Sequence, residues 1–205
     1  PEKAKRAKKA VNLVKVGYLL RLAARLKMKL VFDWIDDFLE SSEGKIIIFA
    51  KHTPVIDAIE TRYKKITVRV DGSVKSKKRF EAQKRFQKNK KTRIFVGQII
   101  AAGTVLTLTK GTTVAFVEMD YVPGNHIQAE DRAHRIGLKK PVQVYYHIAK
   151  GTVEEDLCRI IQTKAKVISA ILDGRAKSSK LNIFDKLVAA IRKRKVDSLN
   201  KRRIA

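Results

Sequence analysis

A single cysteine, Cys158, stands in 205 residues. One thiol excludes an intrachain disulfide framework and a cysteine-rich zinc site, and it fits a reducing, intracellular setting. No run of about 18 apolar residues is present, so no segment is expected to span a membrane. The opening PEKAKRAKKA is basic, but no apolar stretch follows it, so no secretory leader is expected. The chain begins at Pro1 rather than Met, which points to a fragment or a processed product. The four histidines, His52, His126, His134 and His147, show no metal-ligand spacing, so no metal site is expected. A G-x-x-x-x-G-K-[ST] phosphate loop is missing too. So is an Asp-Glu pair placed to hold magnesium after an apolar strand; Glu118 and Asp120, after VAFV, come nearest.

Acidic residues are the scarce charge. Lys and Arg number 46 against 20 Asp and Glu, for a net +26. Residues 1–29 hold ten basic residues and one acid, and residues 175–205 hold eleven and two. These two ends therefore carry +18, leaving +8 for the 145 residues between them. A phosphate backbone is the counter-charge that fits, bound through counterion release and weakened by salt. A solvated, self-repelling tail and an anionic membrane surface are the alternatives. The run Arg192-Lys193-Arg194-Lys195 suits nuclear import in a eukaryote or phosphate binding equally.

With 44% hydrophobic residues, the chain has the material for a core. Val11 to Leu39 is helical in pattern: Leu30, Trp34 and Phe38 recur at i, i+4, i+8, flanked by Val31, Ile35 and Leu39 in one wide apolar stripe. Trp34 reads as a core anchor, and Gly44 as the stop. Strands and helices then alternate. IIIFA (46–50), ITVRV (66–70), RIFVG (93–97), TVAFVEM (113–119) and VQVYYHI (142–148) read as strands. His52 to Tyr63, Ser76 to Phe86, Pro123 to Gly137 and Thr152 to Leu172 read as helices, with another candidate over Ile183 to Val196. Thr152 and Glu155 form a capping-box pattern, and Cys158 falls on the expected apolar face of that helix. Continuous apolar strands alternating with helices predict an α/β fold with a mostly parallel sheet covered on both faces. Its chemistry is expected in loops beyond the strands' C-terminal ends.

IQAEDRAHRIG (127–137) carries the most chemistry. On a helix, Gln128, Arg132 and Arg135 share one face. Two forked guanidiniums and an amide on a rigid face make a clamp for a polyphosphate. An arginine there can meet the charge that develops on a transferring phosphoryl group. The bland alternative is an exposed helix with an Asp131–Arg135 ion pair.

QAEDRAHRIG resembles the sixth motif of Swi/Snf-type ATPases in helicase superfamily two. KIIIFAKH (45–52) resembles the strand that opens their second, RecA-like lobe. VDGSVKSKKRFEAQKRFQ (70–87) resembles the following strand, turn and helix, and RIFVGQIIAAGTVLTLT (93–109) the fifth motif. VEMDYVPGNHIQAEDRAHRIG, then VQVYYHIAKGTVEEDL, resembles the end of the lobe and its brace helix. The resemblance covers residues 18 to about 174, and the phrasing is similar to the annealing-helicase branch, which rewinds DNA and remodels stalled forks. With the charge distribution and the helical pattern of the ends, it divides the chain into a helical, basic N-terminal extension (1–44), a RecA-like helicase lobe (45–151), a brace helix (152–174) and a basic, partly helical tail (175–205). It implies that Arg135 is the arginine finger of a DNA-dependent ATPase, with Arg132 and Gln128 beside it at the nucleotide. Gly103 and Thr104 would lie near the interlobe cleft and couple ATP to DNA. Lys51, His52, Ser73, Thr104 and Thr107 would face the DNA backbone, where contacts position without reading sequence.

The implied cofactor is ATP with Mg2+, bound mainly by a first lobe upstream in the same polypeptide. The implied partners are that N-terminal RecA-like lobe and double-stranded or forked DNA, in the nucleus of a eukaryote or otherwise the cytoplasm or nucleoid. This chain alone is expected to be inactive. Two residues depart from the family pattern: Val105 stands where the fifth motif has glycine, and Leu138 where the sixth closes with glutamine. A valine takes positive φ only at a cost, so a nucleic-acid-binding module with a degenerate ATPase is the alternative function. A scaffold whose basic ends dock an acidic protein is a third.

Overall fold

The computed structural model describes residues 2–102, 106–134, 141–172 and 183–204. Twelve elements follow in order: α1 (Glu2–Ser41), β1 (Lys45–Ala50), α2 (Thr53–Arg62), β2 (Thr67–Val70), α3 (Ser76–Lys88), β3 (Ile94–Gln98), α4 (Ile99–Ala102), β4 (Gly111–Phe116), α5 (Pro123–Glu130), β5 (Gln143–Tyr146), α6 (Val153–Leu172) and α7 (Ile183–Ile204). They form two compact units: residues 24–148, and residues 1–23 with 149–205.

Residues 24–148 hold a five-stranded sheet in the order β2-β3-β1-β4-β5, with every described pairing parallel. The central strand β1 is buried from Ile46 to Ala50. Successive side chains of a strand point to opposite faces. Ile46, Ile48 and Ala50 therefore join a core with Val31 and Ile35 of α1 and Ile56 and Ile59 of α2. Ile47 and Phe49 join a second core with Phe86 of α3, Phe95, Phe116 and Ala129 of α5. This double burial is why the strands read as unbroken apolar runs. The edge strand β5 departs from that expectation, since all four of its residues are exposed. At the start of β4, Gly111 allows a close approach: a Cβ there would meet the Ile47 side chain at 2.7 Å.

The stripe on α1 needs a correction. Val31 and Ile35 are buried at 2% and 0%, whereas Leu30 is 71% exposed. Trp34 and Phe38 are half-buried, stacked with ring centroids 6.3 Å apart. The seam thus follows Ala24, Val31 and Ile35 rather than Leu30. Below it, the Tyr63 hydroxyl donates to Asp36 at 2.7 Å and Arg62 pairs with the same carboxylate at 2.6 Å, tying α2 to α1. These donors hold the Asp36 carboxyl below its usual range, and burial with the Asp36 bond pushes the Tyr63 phenol up.

Helix ends differ from the sequence reading in three places. The helix α1 starts at Glu2, not Val11, because the Ala- and Lys-rich opening holds strong helix formers. Its C-terminal end is closed by Arg93, whose guanidinium donates to the carbonyls of Leu39 at 3.2 Å, Gly44 at 3.0 Å and Ser42. Gly44 takes no left-handed conformation; among the described glycines only Gly151 does, at φ 75°. The helix α5 ends at Glu130, seven residues before the expected Gly137, and α7 runs to Ile204, past the expected Val196.

In the other unit, α6 opens as the capping-box pattern implies, with an altered reach. The Glu154 amide donates to Thr152 Oγ1 at 3.2 Å, while the Glu155 carboxylate accepts from the Gly151 amide at 3.0 Å. Arg194 of α7 returns to Asp156 of α6 at 2.8 Å, beside the buried Leu157 and Leu187. Cys158 is half-buried, and burial pushes its thiol above the ordinary value.

Replacing Ile35 by alanine is expected to destabilise the chain by about 2–5 kcal/mol in urea unfolding, the range for a buried aliphatic truncation. Leu30→Ala is expected to stay within about 0.5 kcal/mol. Equal effects at the two positions would contradict the placement of the seam.

Candidate functional site

All five strands are parallel, so their C-terminal ends share one edge, where loops of such sheets converge. A chain of hydrogen bonds crosses this edge from strand to strand. Beyond β2, the Gly72 amide donates to Gln98 Oε1 at 3.2 Å. Gln98, the last residue of β3, donates through Nε2 to the Lys51 carbonyl at 3.1 Å. The amides of Lys51 and His52, beyond β1, donate to Glu118 Oε2 at 2.9 and 2.8 Å. The second Glu118 oxygen accepts from His52 Nδ1 at 2.6 Å. Glu118 follows β4 and is buried at 4%. Both carboxylate oxygens are therefore engaged in holding the loop after β1.

The Lys51 ammonium lies 3.6 Å from Asp120 and 3.5 Å from the centroid of the Tyr121 ring. Burial pushes it below its ordinary value, and Asp120 and Glu118 offset only part of that. Asp120 is itself fixed by the Val122 amide at 2.9 Å and the Asn125 side chain at 3.0 Å. His52 occupies the N-cap position of α2 but makes no side-chain cap, because its ring is turned to Glu118. At the end of β2, Asp71 Oδ1 accepts from the Ser73 amide at 2.8 Å and the Ser73 hydroxyl at 2.6 Å. Its other oxygen accepts from Arg69. Burial alone would raise the Asp71 carboxyl, but the Ser73 and Arg69 bonds bring it below its usual range. Beyond β5, burial lowers the His147 imidazole to about 4, with the Lys27 charge adding to the effect.

Of the sequence-predicted residues, Lys51, His52 and Ser73 thus gather on this edge. Gln128 and Arg132 form a separate pair, with Arg132 Nε donating to the Gln128 carbonyl at 3.0 Å. They do not share a helix: Arg132 sits in the turn after α5, where the Arg132 and Ala133 amides bond three residues back, to Ala129 and Glu130. Such bonds tighten a helix end, and the Leu108 amide takes the Arg132 carbonyl at 2.8 Å. Thr107 lies in the loop before β4, its amide donating to Gln83 of α3 at 2.9 Å. Gly103, Thr104, Val105, Arg135 and Leu138 lie outside the described residues. Gln98 and the positioning role of Glu118 escaped the sequence reading. The available signal was a polar residue closing each of two apolar runs, IFVGQ and VAFVE.

Glu118→Ala removes three acceptor bonds, and a buried donor left unmatched costs about 1–3 kcal/mol. Amide hydrogen exchange at Lys51 and His52 is expected to speed up at least about tenfold in this variant, and less in Glu118→Gln, which keeps one carbonyl oxygen. Unchanged exchange in the alanine variant would contradict the pinning role.

Comparison with known proteins agrees with this architecture. Residues 27–137 match the helicase conserved C-terminal domain. The DNA annealing helicase and endonuclease ZRANB3 of Bos taurus is 36% identical over 175 residues, 82% of this chain and 16% of that protein. The SWI/SNF-related matrix-associated actin-dependent regulator of chromatin subfamily A-like protein 1 of Xenopus tropicalis is 39% identical over 165 residues, 79% of this chain and 17% of that protein. The chain thus spans about a sixth of the length of these curated relatives. Among solved structures, the C-terminal part of the Fun30 ATPase domain shares the RecA-like fold at a TM-score of 0.64 and 23% identity, over 80% of this chain and 52% of that one. The chain belongs to the helicase conserved C-terminal domain family and is homologous to these SWI/SNF-related and annealing-helicase proteins.

Proposed function

We propose that this chain is the second motor lobe of an ATP-driven translocase that remodels double-stranded DNA, with fork remodelling or annealing as its task. The observation that carries the reading is the network at the C-terminal edge of the sheet, which holds Lys51, His52 and Ser73 together in a chain of this family. An ammonium and an imidazole fixed along one edge, with a hydroxyl that reaches a phosphate by turning from Asp71, suit a DNA backbone and provide no readout of base identity. Thr104 and Thr107 are assigned to the same backbone, and Gly103 to coupling across the interlobe cleft. Two relatives carry helicase or chromatin functions in their names, which supports DNA as partner and the nucleus as location.

The described nucleotide-side residues fit an anionic ligand. Arg132 commits Nε to the Gln128 carbonyl, and among the described residues its two terminal nitrogens meet no acceptor. A guanidinium held by one nitrogen presents a planar pair of donors to a phosphate. Bound ATP with Mg2+ supplies the phosphoryl-transfer energy, and a first lobe in the same polypeptide is assigned most of its binding. On this side Gln128 and Arg132 orient the phosphates, and Arg135 meets the charge that develops on transfer.

The full-length protein is expected to hydrolyse ATP in the presence of duplex DNA, to lose about three powers of ten in rate on Arg135→Ala, and to keep its DNA binding. The 205-residue chain alone is expected to be silent. A silent full-length protein that still binds DNA would replace this reading with a binding module, consistent with the departures at Val105 and Leu138.

A further inference from the structure

The surplus charge between the two basic ends is concentrated in one place. Residues 75–93 hold ten Lys and Arg against Glu81, a net +9, while residues 30–174 as a whole carry +8. The fold separates the arginines from the lysines. Arg79 donates to the Val74 and Asp71 carbonyls, Arg85 to the Thr92 hydroxyl and Arg93 to the end of α1. The lysines stay exposed.

In strand–helix units of a parallel sheet, the connecting helix runs back against the strand direction. The C-terminal end of α3 therefore lies at the sheet's N-terminal edge, opposite the motif-bearing loops. Lys88 ends α3 there, and Lys90 and Lys91 stand between α3 and β3, whereas Lys75, Lys77 and Lys78 lie at the other end of α3. Lys64 and Lys65 precede β2, Lys110 precedes β4, and Lys45 is the first residue of β1. Local bonds bring these segments together. The Arg93 amide donates to the Ile66 carbonyl at 2.9 Å, Lys45 Nζ to the Asn89 carbonyl at 2.6 Å, and the Lys110 amide to Gln87 Oε1 at 3.0 Å.

Lys64, Lys65, Lys88, Lys90, Lys91 and Lys110 are all exposed. Among the described residues none of their ammonium groups pairs with a carboxylate. Glu43 is the one acid in the short segments entering these four strands. The half-buried Lys45 is pushed below its ordinary value by burial and by the charge of Lys110. Adjacent strands lie about 4.8 Å apart, so the row from β2 to β4 spans about 15 Å, or about four base steps of a nucleic-acid strand.

The chemistry of this edge selects its partner. Protein interfaces are depleted of lysine and anchored by buried apolar or aromatic side chains. Among the described residues, none of the exposed large hydrophobic side chains falls in these segments. Single-stranded nucleic acid is held by stacking aromatics; among the described residues none is exposed in these segments, and the exposed Phe80 lies on α3 outside them. Point charges without apolar surface suit the phosphates of a duplex.

We infer that the N-terminal edge of the sheet is a second duplex-binding surface, about 20 Å from the motif-bearing edge across the length of β1. The lobe can then hold one DNA segment at each edge. The surface acts through counterion release, so it is read by salt dependence and is independent of ATP hydrolysis.

The test is duplex affinity as a function of salt for this chain and for a variant carrying Lys88→Gln, Lys90→Gln, Lys91→Gln and Lys110→Gln, all at exposed positions. The slope of log Kd against log salt is expected to fall by about 0.9 for each phosphate no longer neutralised, about 2–4 in total. An unchanged slope overturns the inference, and an unchanged slope together with abolished binding to poly-glutamate reassigns the edge to an acidic polypeptide. If the variant unfolds earlier than the parent, acetylation of the unsubstituted chain decides instead. Duplex protection of these four lysines supports the inference, and full reactivity overturns it.

Discussion

The Glu118 carboxylate is buried at the end of β4 and receives two backbone amides and an imidazole from the loop that follows β1. A buried carboxylate is tolerated only when its acceptor sites are filled, and the donors that fill them here are the residues proposed to face DNA. Loop geometry and carboxylate burial therefore depend on each other. Gln98 carries the same order one strand further, by gripping the Lys51 carbonyl and the Gly72 amide with opposite ends of one side chain. Three loops that are remote in sequence become one edge of fixed shape. Such an edge can follow a phosphate backbone without first ordering its own side chains, which lowers the entropic cost of binding.

What holds this edge in place is the sheet beneath it. β1 lies between β3 and β4 and fills a core on each face, so its end cannot shift without disturbing both. Close-packed interiors resist such shifts. The same parallel arrangement sends every strand's entry to the opposite edge. Motif residues and the lysines that lead into β2, β3 and β4 are thereby placed on two sides of one layer. Arg93 shows how tightly this is built: it leads into β3 and closes the C-terminal end of α1.

The strands and most helices were legible because burial on both faces leaves an unbroken apolar run, and covering helices leave a 3.6-residue period. Where one periodicity admits two phases, sequence does not choose. Leu30 and Val31 both fit a stripe, and only packing against α2 and β1 selects Val31. The end of α5 was misplaced because a tertiary bond from Leu108 captures the Arg132 carbonyl, which local pattern does not encode. Lys51, His52 and Ser73 were found through motif resemblance, whereas Gln98 and Glu118 act on backbone groups far away in sequence and leave no periodic mark. The lysines before β2, β3 and β4 looked scattered, because only the sheet order makes them neighbours.

The central claim is that Glu118 and His52 act as one unit in engaging DNA. A double-mutant cycle tests it most directly, with Glu118→Ala, His52→Ala and the pair compared by the duplex concentration that half-maximally stimulates ATP hydrolysis in the full-length protein. If Glu118 works by holding the loop, the double variant is no weaker than the worse single one, and the coupling falls in the range of about 0.5–3 kcal/mol seen for residues in one network. Effects that add to within about 0.5 kcal/mol would mean that the two residues contribute separately, and the account of this edge would be wrong.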